Sequence, residues 1–347
     1  MLKIAVIKTD GIGDAVLASP FLFELRKNYR QAHITGFLSP AGGEILGGLG
    51  VFDEIVIHDA RWLRHKKEFF LSRWFSALEL LLKINKGKYD IVIGLRWQDR
   101  LTSLLVSLCR ARDKYGYDTG GMGFCINHKI PALLEKTHVV QRNMRVLSLM
   151  FPKRKFRIKL GAAYVKETQA AAGTVPLKLS RHKRYIVIHP VSGCPAKDWP
   201  PEKYGELAGM LAKKIPVYII GGPNDRAAAS ITGKNIVNTT ARLSIIQTSG
   251  LIRQSSLVIG NDSAAVHMAA AHGVNSLTLF SGTADYREWG AYGKKSFILV
   301  KGAACANCGL SECDKSAACC MDFSAEQVRS FAMGIIAGKQ RKNIVIL

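Results

Sequence analysis

Two carboxylates stand in a glycine-containing loop near the start of the chain. Asp10 and Asp14 belong to the segment Thr9-Asp-Gly-Ile-Gly-Asp14, which directly follows the apolar run Lys3 to Lys8. A loop carboxylate placed after a strand can take a proton from a hydroxyl group, which is general-base chemistry. A carboxylate at a helix N-terminus can equally be a cap that accepts backbone N–H bonds. The sequence leaves both interpretations of Asp14 open.

The same loop differs from a dinucleotide-binding fingerprint. Gly11 and Gly13 would need a third glycine at position 16, where this chain has Val16. The two carboxylates would also repel a pyrophosphate. We therefore reject an NAD site and predict no cofactor.

A second candidate site lies in the stretch Leu257 to His267. Leu257 to Ile259 is typical of a buried strand, and Asp262 or Ser263 can cap a helix that runs to Ala271 and ends at Gly273. The helix N-terminus would open at the carboxyl end of a strand, where α/β sheets bind ligands. Its N–H groups and dipole suit a phosphate, and His267 would add a donor one turn further along.

A third candidate is the loop after the predicted strand Tyr185 to Pro190. The loop contains Ser192 and Lys197, and a helix begins at Pro200 or Pro201. A strand followed by a Gly/Ser loop with one lysine is typical of a phosphate cradle, although its spacing is not that of a Walker loop. A lone loop lysine can equally be an ordinary surface residue.

Five of the eight cysteines cluster in Cys305-x-x-Cys308-x4-Cys313-x5-Cys319-Cys320. This spacing permits a zinc site, but its second half has no clean CxxC pair. Reduced or partly bonded thiols explain it equally well, so we predict no metal.

The chain has 347 residues and a formal net charge of +23, which favours an acidic partner. The positive charges are dispersed and no nucleic-acid-binding signature is present, so no nucleic acid is expected. No apolar run has the length of a membrane span, and residues 1–8 do not have the pattern of a signal peptide. These features predict a cytoplasmic protein.

An amphipathic helix predicted from Phe69 to Ile84 follows the basic segment Arg61 to Lys67. Phe70, Trp74, Leu78 and Leu81 or Leu82 recur at helical spacing. The helix can pack these side chains on a sheet, or it can rest on an anionic membrane.

Strand, loop and helix alternate in both halves, which predicts an α/β protein with two Rossmann-like domains. We expect an N-terminal domain over 1–175, a linker near Val175 to Arg184, and a C-terminal domain over 184–323. Residues 324–347 are expected to form a helix and tail that pack back on the N-terminal domain.

The chain resembles glycosyltransferase family 9, the ADP-heptose:lipopolysaccharide heptosyltransferases, over nearly its whole length. Four motifs carry the resemblance in order. They are Gly11-Ile-Gly-Asp14 with Ser19-Pro20; His189-Pro190 with Lys197-Asp-Trp199-Pro200; Gly221-Gly222-Pro223; and Asn261-Asp262-Ser263 with His267. The resemblance implies a GT-B fold with the active site in the interdomain cleft and no metal requirement.

The resemblance also implies roles for individual residues. Asp14 matches the general base, and Lys197 is expected to take part in catalysis. Donor-binding residues are expected at Ser192, Lys197, Asp225, Asp262, Ser263 and His267. Acceptor-binding residues are expected at Gly13, Arg64 and Arg142, and the alternative for Arg142, which is the more common case, is a solvated or structural arginine. The family commonly has Gly-Pro after Asn-Asp-Ser, where this chain has Ala264-Ala265, so its phosphate approach is expected to be narrower.

The expected activity is metal-independent transfer of heptose from ADP-heptose to the inner core of lipopolysaccharide, at Kdo or heptose. The expected location is peripheral, on the cytoplasmic face of the inner membrane, whose anionic surface suits a basic protein. Two alternatives remain. One is another nucleotide sugar or acceptor, and the other is a non-catalytic protein that binds glycans or nucleotide sugars.

Overall fold

The computed structural model describes residues 1–60, 70–130, 136–163, 184–302, 306–313 and 321–346. The chain divides into two compact units, Met1–Ala163 and Tyr164–Leu347. The predicted linker, Val175 to Arg184, falls almost wholly outside the described residues. Among the helices of the described ranges, none is both long and apolar enough to cross a bilayer.

The first unit alternates strands and helices. Its elements are β1 (Lys3–Lys8), α1 (Ile12–Asn28), β2 (His33–Leu38), α2 (Pro40–Gly47), β3 (Glu54–Ile57), α3 (Phe70–Gly87), β4 (Ile91–Gly94), α4 (Arg100–Leu108), β5 (Asp113–Gly116), β6 (His128–Lys129) and α5 (Val139–Met150). The strands form a parallel sheet in the order β3-β2-β1-β4-β5-β6. The strand order reverses between β1 and β4, which makes their carboxyl ends the ligand-binding position of the sheet.

Strand β1 shows why the sheet is parallel and covered on both faces. Its residues from Ile4 to Lys8 are all buried, so the strand has no solvent face. The predicted bounds of β1 and β2 are confirmed.

Helix α1 contains Pro20, which lacks the N–H group that would bond the carbonyl of Val16. The Ser19 hydroxyl donates to that carbonyl instead, at 2.6 Å. The same hydroxyl accepts from the Gly161 N–H at 2.8 Å, which ties the end of the unit to its first helix. The Ser19-Pro20 pair therefore has a structural explanation.

Helix α3 presents large apolar side chains to solvent. Its buried apolar side chains include Ala77, Leu80 and Ile84. Trp74, Phe75, Leu78 and Leu82 are 46, 67, 49 and 61% exposed. The helix therefore packs on the sheet, as one interpretation predicted, and Leu81 packs against the same core cluster. The expectation that Trp74, Leu78 and Leu82 take part in this packing is wrong. We call these four residues the α3 apolar face.

The second unit also alternates strands and helices. Its elements are β7 (Ile186–His189), α6 (Pro201–Ala212), β8 (Val217–Ile219), α7 (Arg226–Ala229), β9 (Ile236–Asn238), α8 (Ile245–Gln254), β10 (Leu257–Asn261), α9 (Ala264–His272), β11 (Ser276–Phe280), α10 (Tyr286–Trp289), β12 (Ser296–Val300), α11 (Ala325–Ile336) and β13 (Ile344–Ile346). The strands form a parallel sheet in the order β13-β12-β11-β10-β7-β8-β9. Here the strand order reverses between β7 and β10.

Helix α4 begins at Arg100, because Asp99 caps it through Thr102 N at 2.8 Å and leaves Arg96 in the preceding loop. The C-terminal segment, expected on the N-terminal domain, joins the second unit instead. There Val328 and Ile335 of α11 lie in the same core cluster as Leu211 of α6, and β13 pairs with β12.

Candidate active site

The loop before α6 and the end of β10 meet through an ion pair. The Lys197 Nζ atom lies 2.6 Å from Asp262 Oδ2. The other carboxylate oxygen, Asp262 Oδ1, is 3.5 Å from His267 Nε2. Asp262 and His267 are buried, whereas the side chain of Lys197 is 25% exposed. The ammonium group of Lys197 is thus held by a buried acid while it keeps access to solvent.

The charge of Asp262 depends on these two partners. Burial by itself raises the pKa of the Asp262 carboxyl, but His267 and Lys197 together hold it below its usual range. Asp262 therefore stays ionised and pairs with the Lys197 ammonium group. His267 Nδ1 is buried and has no hydrogen-bond partner within the described structure.

Helix α9 begins beside this ion pair. Its N-cap residue is Ser263, one of the two predicted candidates, and Gly273 ends it in the left-handed conformation at φ 67°. The Ser263 side chain makes no capping bond, and its Oγ lies 2.9 Å from His189 Nδ1 instead. The N–H groups of the first helical turn are therefore not capped by the Ser263 side chain, and such N–H groups suit an anionic ligand.

Two backbones approach closely at the same edge. A Cβ atom on Gly260 would lie 2.8 Å from the carbonyl oxygen of His189, so this position of β10 requires glycine.

Burial lowers the pKa of His189 to about 4, so its ring is neutral near pH 7. A neutral His189 contributes a hydrogen bond to Ser263 and no net charge.

Asn261 is a functional candidate that the sequence reasoning did not single out for a role. Its Oδ1 accepts from Trp199 N at 3.1 Å and from the Tyr204 hydroxyl at 2.8 Å. Its Nδ2 donates to Pro190 O at 3.1 Å and to Asp198 Oδ1 at 3.0 Å. The buried amide thereby fixes the loop that carries Lys197 against β10.

The remaining predicted donor residues, Ser192 and Asp225, both close turns near this edge. Ser192 Oγ donates to Cys194 O at 2.8 Å and accepts from Cys194 N at 3.1 Å. Asp225 Oδ2 accepts from Gly222 N at 2.6 Å.

Burial raises the pKa of the Asp198 carboxyl to about 6. The nearby charge of Asp225 adds to this increase, whereas hydrogen bonds from Ser192 and Asn261 oppose it.

The first unit carries a cluster of charges that the sequence reasoning also missed. The Asp10 carboxylate contacts Lys8 Nζ through one oxygen and Arg96 Nη1 through the other. Lys8 ends β1, and Arg96 follows the end of β4. This ion cluster therefore occupies the point where the strand order of the first sheet reverses.

Asp14 lies in the first turn of α1 and is partly exposed. Gly11 is the N-cap residue of this helix, and Asp14 is the third helical residue. The side chain of Asp14 is therefore not the N-cap, although its charge remains favourable near the N-terminus. Gly13, the predicted acceptor contact, lies beside Asp14 in the same turn.

Of the two arginines predicted to bind the acceptor, the structure describes only Arg142. Arg142 is buried, its guanidinium carbon lies 4.1 Å from the centre of the Trp97 ring, and its Nε donates to Thr137 O at 2.9 Å. These contacts agree with its structural interpretation. Arg64 lies outside the described residues.

A family model described as glycosyltransferase family 9 (heptosyltransferase) matches residues 78–318. This chain belongs to glycosyltransferase family 9. Lipopolysaccharide heptosyltransferase 1 of Campylobacter coli is 24% identical to it over 306 residues, which span 83% of this chain and 86% of that protein.

Solved family 9 structures share the fold. The glycosyl transferase family 9 protein from Veillonella parvula DSM 2008 superposes with a TM-score of 0.79 at 21% identity, covering 97% of this chain and 98% of that one. The E. coli heptosyltransferase WaaC with ADP-2-deoxy-2-fluoro heptose gives 0.68 at 16% identity, covering 96 and 99%. The predicted class, α/β with the two Rossmann-like units of a GT-B fold, is confirmed, and the protein is a glycosyltransferase.

The family 9 chain has two further features at this edge. Ala264 and Ala265, where the family commonly has Gly-Pro, are the first two residues of α9.

Cys194 Sγ lies 3.4 Å from Ser311 O, so the segment that carries Cys308 and Cys313 runs beside the Lys197 loop. Cys305, Cys319 and Cys320 lie outside the described residues. In the described part of the chain, no group of three or more metal-binding side chains is present.

Proposed function

We propose that this enzyme transfers heptose from ADP-heptose to the inner core of lipopolysaccharide, at Kdo or heptose. Membership of family 9 supports the reaction class. The observation that carries the assignment of the donor site is the Lys197–Asp262 ion pair beside the uncapped N-terminus of α9. Cations and backbone N–H groups gathered at the carboxyl ends of two strands suit a nucleotide diphosphate.

The proposed transfer begins at the leaving group. The bond between the anomeric carbon and the diphosphate oxygen breaks, and its electron pair stays on the diphosphate. The Lys197 ammonium and the N–H groups of α9 stabilise that negative charge. Asp262 and His267 hold the ammonium in place, Ser263 shapes the helix end, and Ser192 shapes the loop around the phosphates. Asp225 contacts the nucleoside.

The acceptor hydroxyl completes the proposed transfer. Its oxygen bonds to the anomeric carbon while its proton passes to the Asp14 carboxylate. Gly13 leaves room for the acceptor beside that carboxylate. Arg142 supports the acceptor side through Trp97, and Arg64 is proposed to contact an acidic group of the inner core. No step of this transfer passes through a metal ion.

We also propose that the first unit rests on the anionic cytoplasmic face of the inner membrane. The α3 apolar face supports this proposal, because four large apolar side chains stand exposed on one helix. Arg73, Lys83 and Lys86 lie on the same helix and suit anionic headgroups. The net charge of +23 favours the same partner over a neutral one.

A transfer assay tests the proposed reaction. The protein is incubated with ADP-heptose and either Kdo-lipid A or heptosyl-Kdo-lipid A, and the products are read by mass spectrometry. The expected product gains one heptose on one of the two acceptors. Transfer from another nucleotide sugar alone would support a different donor. Binding of ADP-heptose without any transfer would support a non-catalytic protein.

A further inference from the structure

A short segment of the second unit, residues 306–313, has no part in the proposed transfer, yet it contacts the loop that carries Lys197. The Ser311 carbonyl oxygen accepts from Ala196 N at 3.1 Å. The Cys194 thiol donates to the same oxygen at 3.4 Å. Two donors of the Lys197 loop therefore meet one carbonyl group of this segment.

The other end of the segment is fixed to a different loop. Asn307 N donates to Gly282 O at 2.5 Å, and Gly309 N donates to Thr283 O at 2.9 Å. Both acceptors lie in the loop that follows β11. Gly309 has a φ of 70°, in the left-handed region that favours glycine. Residues 307–311 therefore link the loop after β11 to the loop after β7, and we call them the 307–311 bridge.

The 307–311 bridge crosses the end of β10. In the second sheet β10 lies between β11 and β7, and the three strands are parallel, so their carboxyl ends share one edge. Asp262 directly follows β10 and pairs with Lys197 at 2.6 Å, and α9 begins two residues later. A segment that is tied to the loops on both sides of β10 thus lies beside the proposed phosphate site.

The Lys197 loop is held on two sides. After Lys197, Trp199 N donates to Asn261 Oδ1 at 3.1 Å, and Trp199 Nε1 donates to Phe323 O at 3.2 Å. Before Lys197, the 307–311 bridge supplies the contacts to Cys194 and Ala196. Loss of the bridge would free the first side of the loop, which would then have to be ordered when a ligand binds.

We propose that Gly309 and Ser311 are positioning residues of the donor site, because the bridge they form holds the Lys197 ammonium in place for the diphosphate of the nucleotide sugar. This inference rests on the proposed donor site. The bridge acts through the Lys197 loop and does not touch the reacting atoms. Its bonds to the loop come from a backbone carbonyl group, so a substitution that tests it must change the backbone.

Gly309→Pro is the variant that opens the bridge. Proline has no N–H group to donate to Thr283 O, and it fixes φ at about −65°. Gly338→Pro is the matched control, because Gly338 is also exposed, has a φ of 68° and donates its N–H to Ile335 O. Gly338 lies just after α11, outside the proposed donor site.

Labelling of Cys194 with a maleimide, read by peptide mass spectrometry, measures the opening. In Gly309→Pro the rate is expected to increase about fivefold or more, because the thiol loses its contact with Ser311 O and becomes more accessible. Cys125, an exposed thiol of the first unit, should be labelled at the same rate in both proteins.

Calorimetric titration with ADP measures the effect on the donor site. The Kd for ADP is expected to increase about tenfold in Gly309→Pro, because ordering the freed loop becomes a cost of binding. The KM for ADP-heptose should rise with it, whereas the KM for the acceptor at saturating donor should not change. A merely structural segment would not produce this difference between donor and acceptor. Gly338→Pro should match wild type in every measurement.

Faster labelling of Cys194 in Gly309→Pro together with wild-type affinity for ADP would overturn the inference, because the bridge would be open and the donor site intact. Unchanged labelling would overturn it as well, since the bridge would not depend on Gly309. If Gly309→Pro does not fold, the wild-type protein decides. Saturating ADP should slow the labelling of Cys194, and equal rates with and without ADP would overturn the inference.

These outcomes are distinct from a failure of the proposed donor site. If the wild-type protein binds no ADP, the donor site itself is misassigned and the role of the bridge falls with it. If the wild-type protein binds ADP and Lys197→Ala weakens that binding, but Gly309→Pro with an open bridge does not, only the role of the bridge falls.

Discussion

Lys197 and Asp262 form an ion pair of 2.6 Å at the edge where β7 and β10 end. The aspartate is buried and the lysine is partly exposed, so the acid holds the ammonium toward solvent. Ligand-binding edges of α/β sheets lie at such reversals of strand order. The pair is therefore the centre of the proposed donor site.

Lys197→Ala is expected to weaken binding of the donor diphosphate and to slow transfer by about two to three orders of magnitude, because it removes a cation that stabilises the leaving group. Calorimetric titration with ADP and steady-state kinetics measure the two effects. Lys213→Ala, at an exposed lysine just after α6, is the control and should behave as wild type. Unchanged ADP binding in Lys197→Ala would remove this lysine from the site.

Asp14→Asn is expected to reduce turnover by roughly two to four orders of magnitude, because an amide cannot accept the proton of the acceptor hydroxyl. Affinity for ADP should stay near wild type, since the proposed donor site lies in the second unit. Single-turnover kinetics with saturating donor measures the chemical step. Wild-type turnover would leave Asp14 with a structural role in the first turn of α1.

Asn261→Ala is expected to destabilise the second unit by about 3 kcal/mol, because it leaves several buried hydrogen-bonding groups without partners. The groups affected are Trp199 N, Pro190 O and the Tyr204 hydroxyl. Urea unfolding measures the loss in free energy. Asn275→Ala is the control, because its side chain makes one bond, at 3.4 Å to Ser256 O. An equal decrease in the free energy of unfolding in both variants would contradict the prediction that the buried hydrogen bonds of Asn261 stabilise the second unit.

Asp198→Asn is expected to increase the thermal stability of the protein above pH 6. Burial raises the pKa of Asp198 to about 6, above its ordinary value of 3.8, so the folded state favours the protonated acid. The protonated Asp198 carboxyl therefore stabilises the folded protein below pH 4. This stabilisation is lost as the pH rises through 6, because the buried carboxyl must then ionise. The amide of Asp198→Asn does not ionise, so the variant does not lose stability above pH 6. Its side-chain oxygen can still accept the hydrogen bond from Asn261 Nδ2.

Thermal unfolding between pH 4 and pH 8 measures this difference. The variant and wild type should agree at pH 4 and diverge at pH 8. Asp322→Asn is the control with the opposite expectation, because Lys301 holds the pKa of Asp322 below its ordinary value. A melting temperature of Asp198→Asn that follows wild type at every pH would contradict the assignment.

Replacing the α3 apolar face with serine at all four positions is expected to weaken binding to anionic vesicles at least tenfold. Full burial of one large apolar side chain contributes on the order of 1.5 kcal/mol, so four side chains supply ample energy. Co-sedimentation with phosphatidylglycerol vesicles measures binding. The apparent KM for lipid-embedded acceptor should rise, while that for a deacylated acceptor should not change.

Leu149→Ser and Leu310→Ser, at exposed apolar side chains elsewhere, provide the control for this surface. Both should bind vesicles as wild type does. If the fourfold variant retains vesicle binding but loses a dimer in analytical ultracentrifugation, the face joins two copies of the chain instead.

Local signals in the sequence determined most secondary-structure elements. Strand β1 follows from its apolar run, and the end of α9 follows from Gly273 in the left-handed conformation. These signals act between residues that are close in the chain, so they can be recognised without the fold. The residue types of the proposed donor site, Lys197, Asp262 and His267, were identified in the same way.

The tertiary structure alone decided which of these residues meet. Lys197 and Asp262 are 65 positions apart, and Asp10 and Arg96 are 86 apart, yet parallel strands bring each pair to one sheet edge. The exposed side of α3 was also decided there, because helical spacing places Trp74, Leu78 and Leu82 on one face without saying whether that face meets the sheet or solvent. Pairing across crossovers and the choice of buried face depend on the packing of the whole unit, which local sequence patterns do not specify.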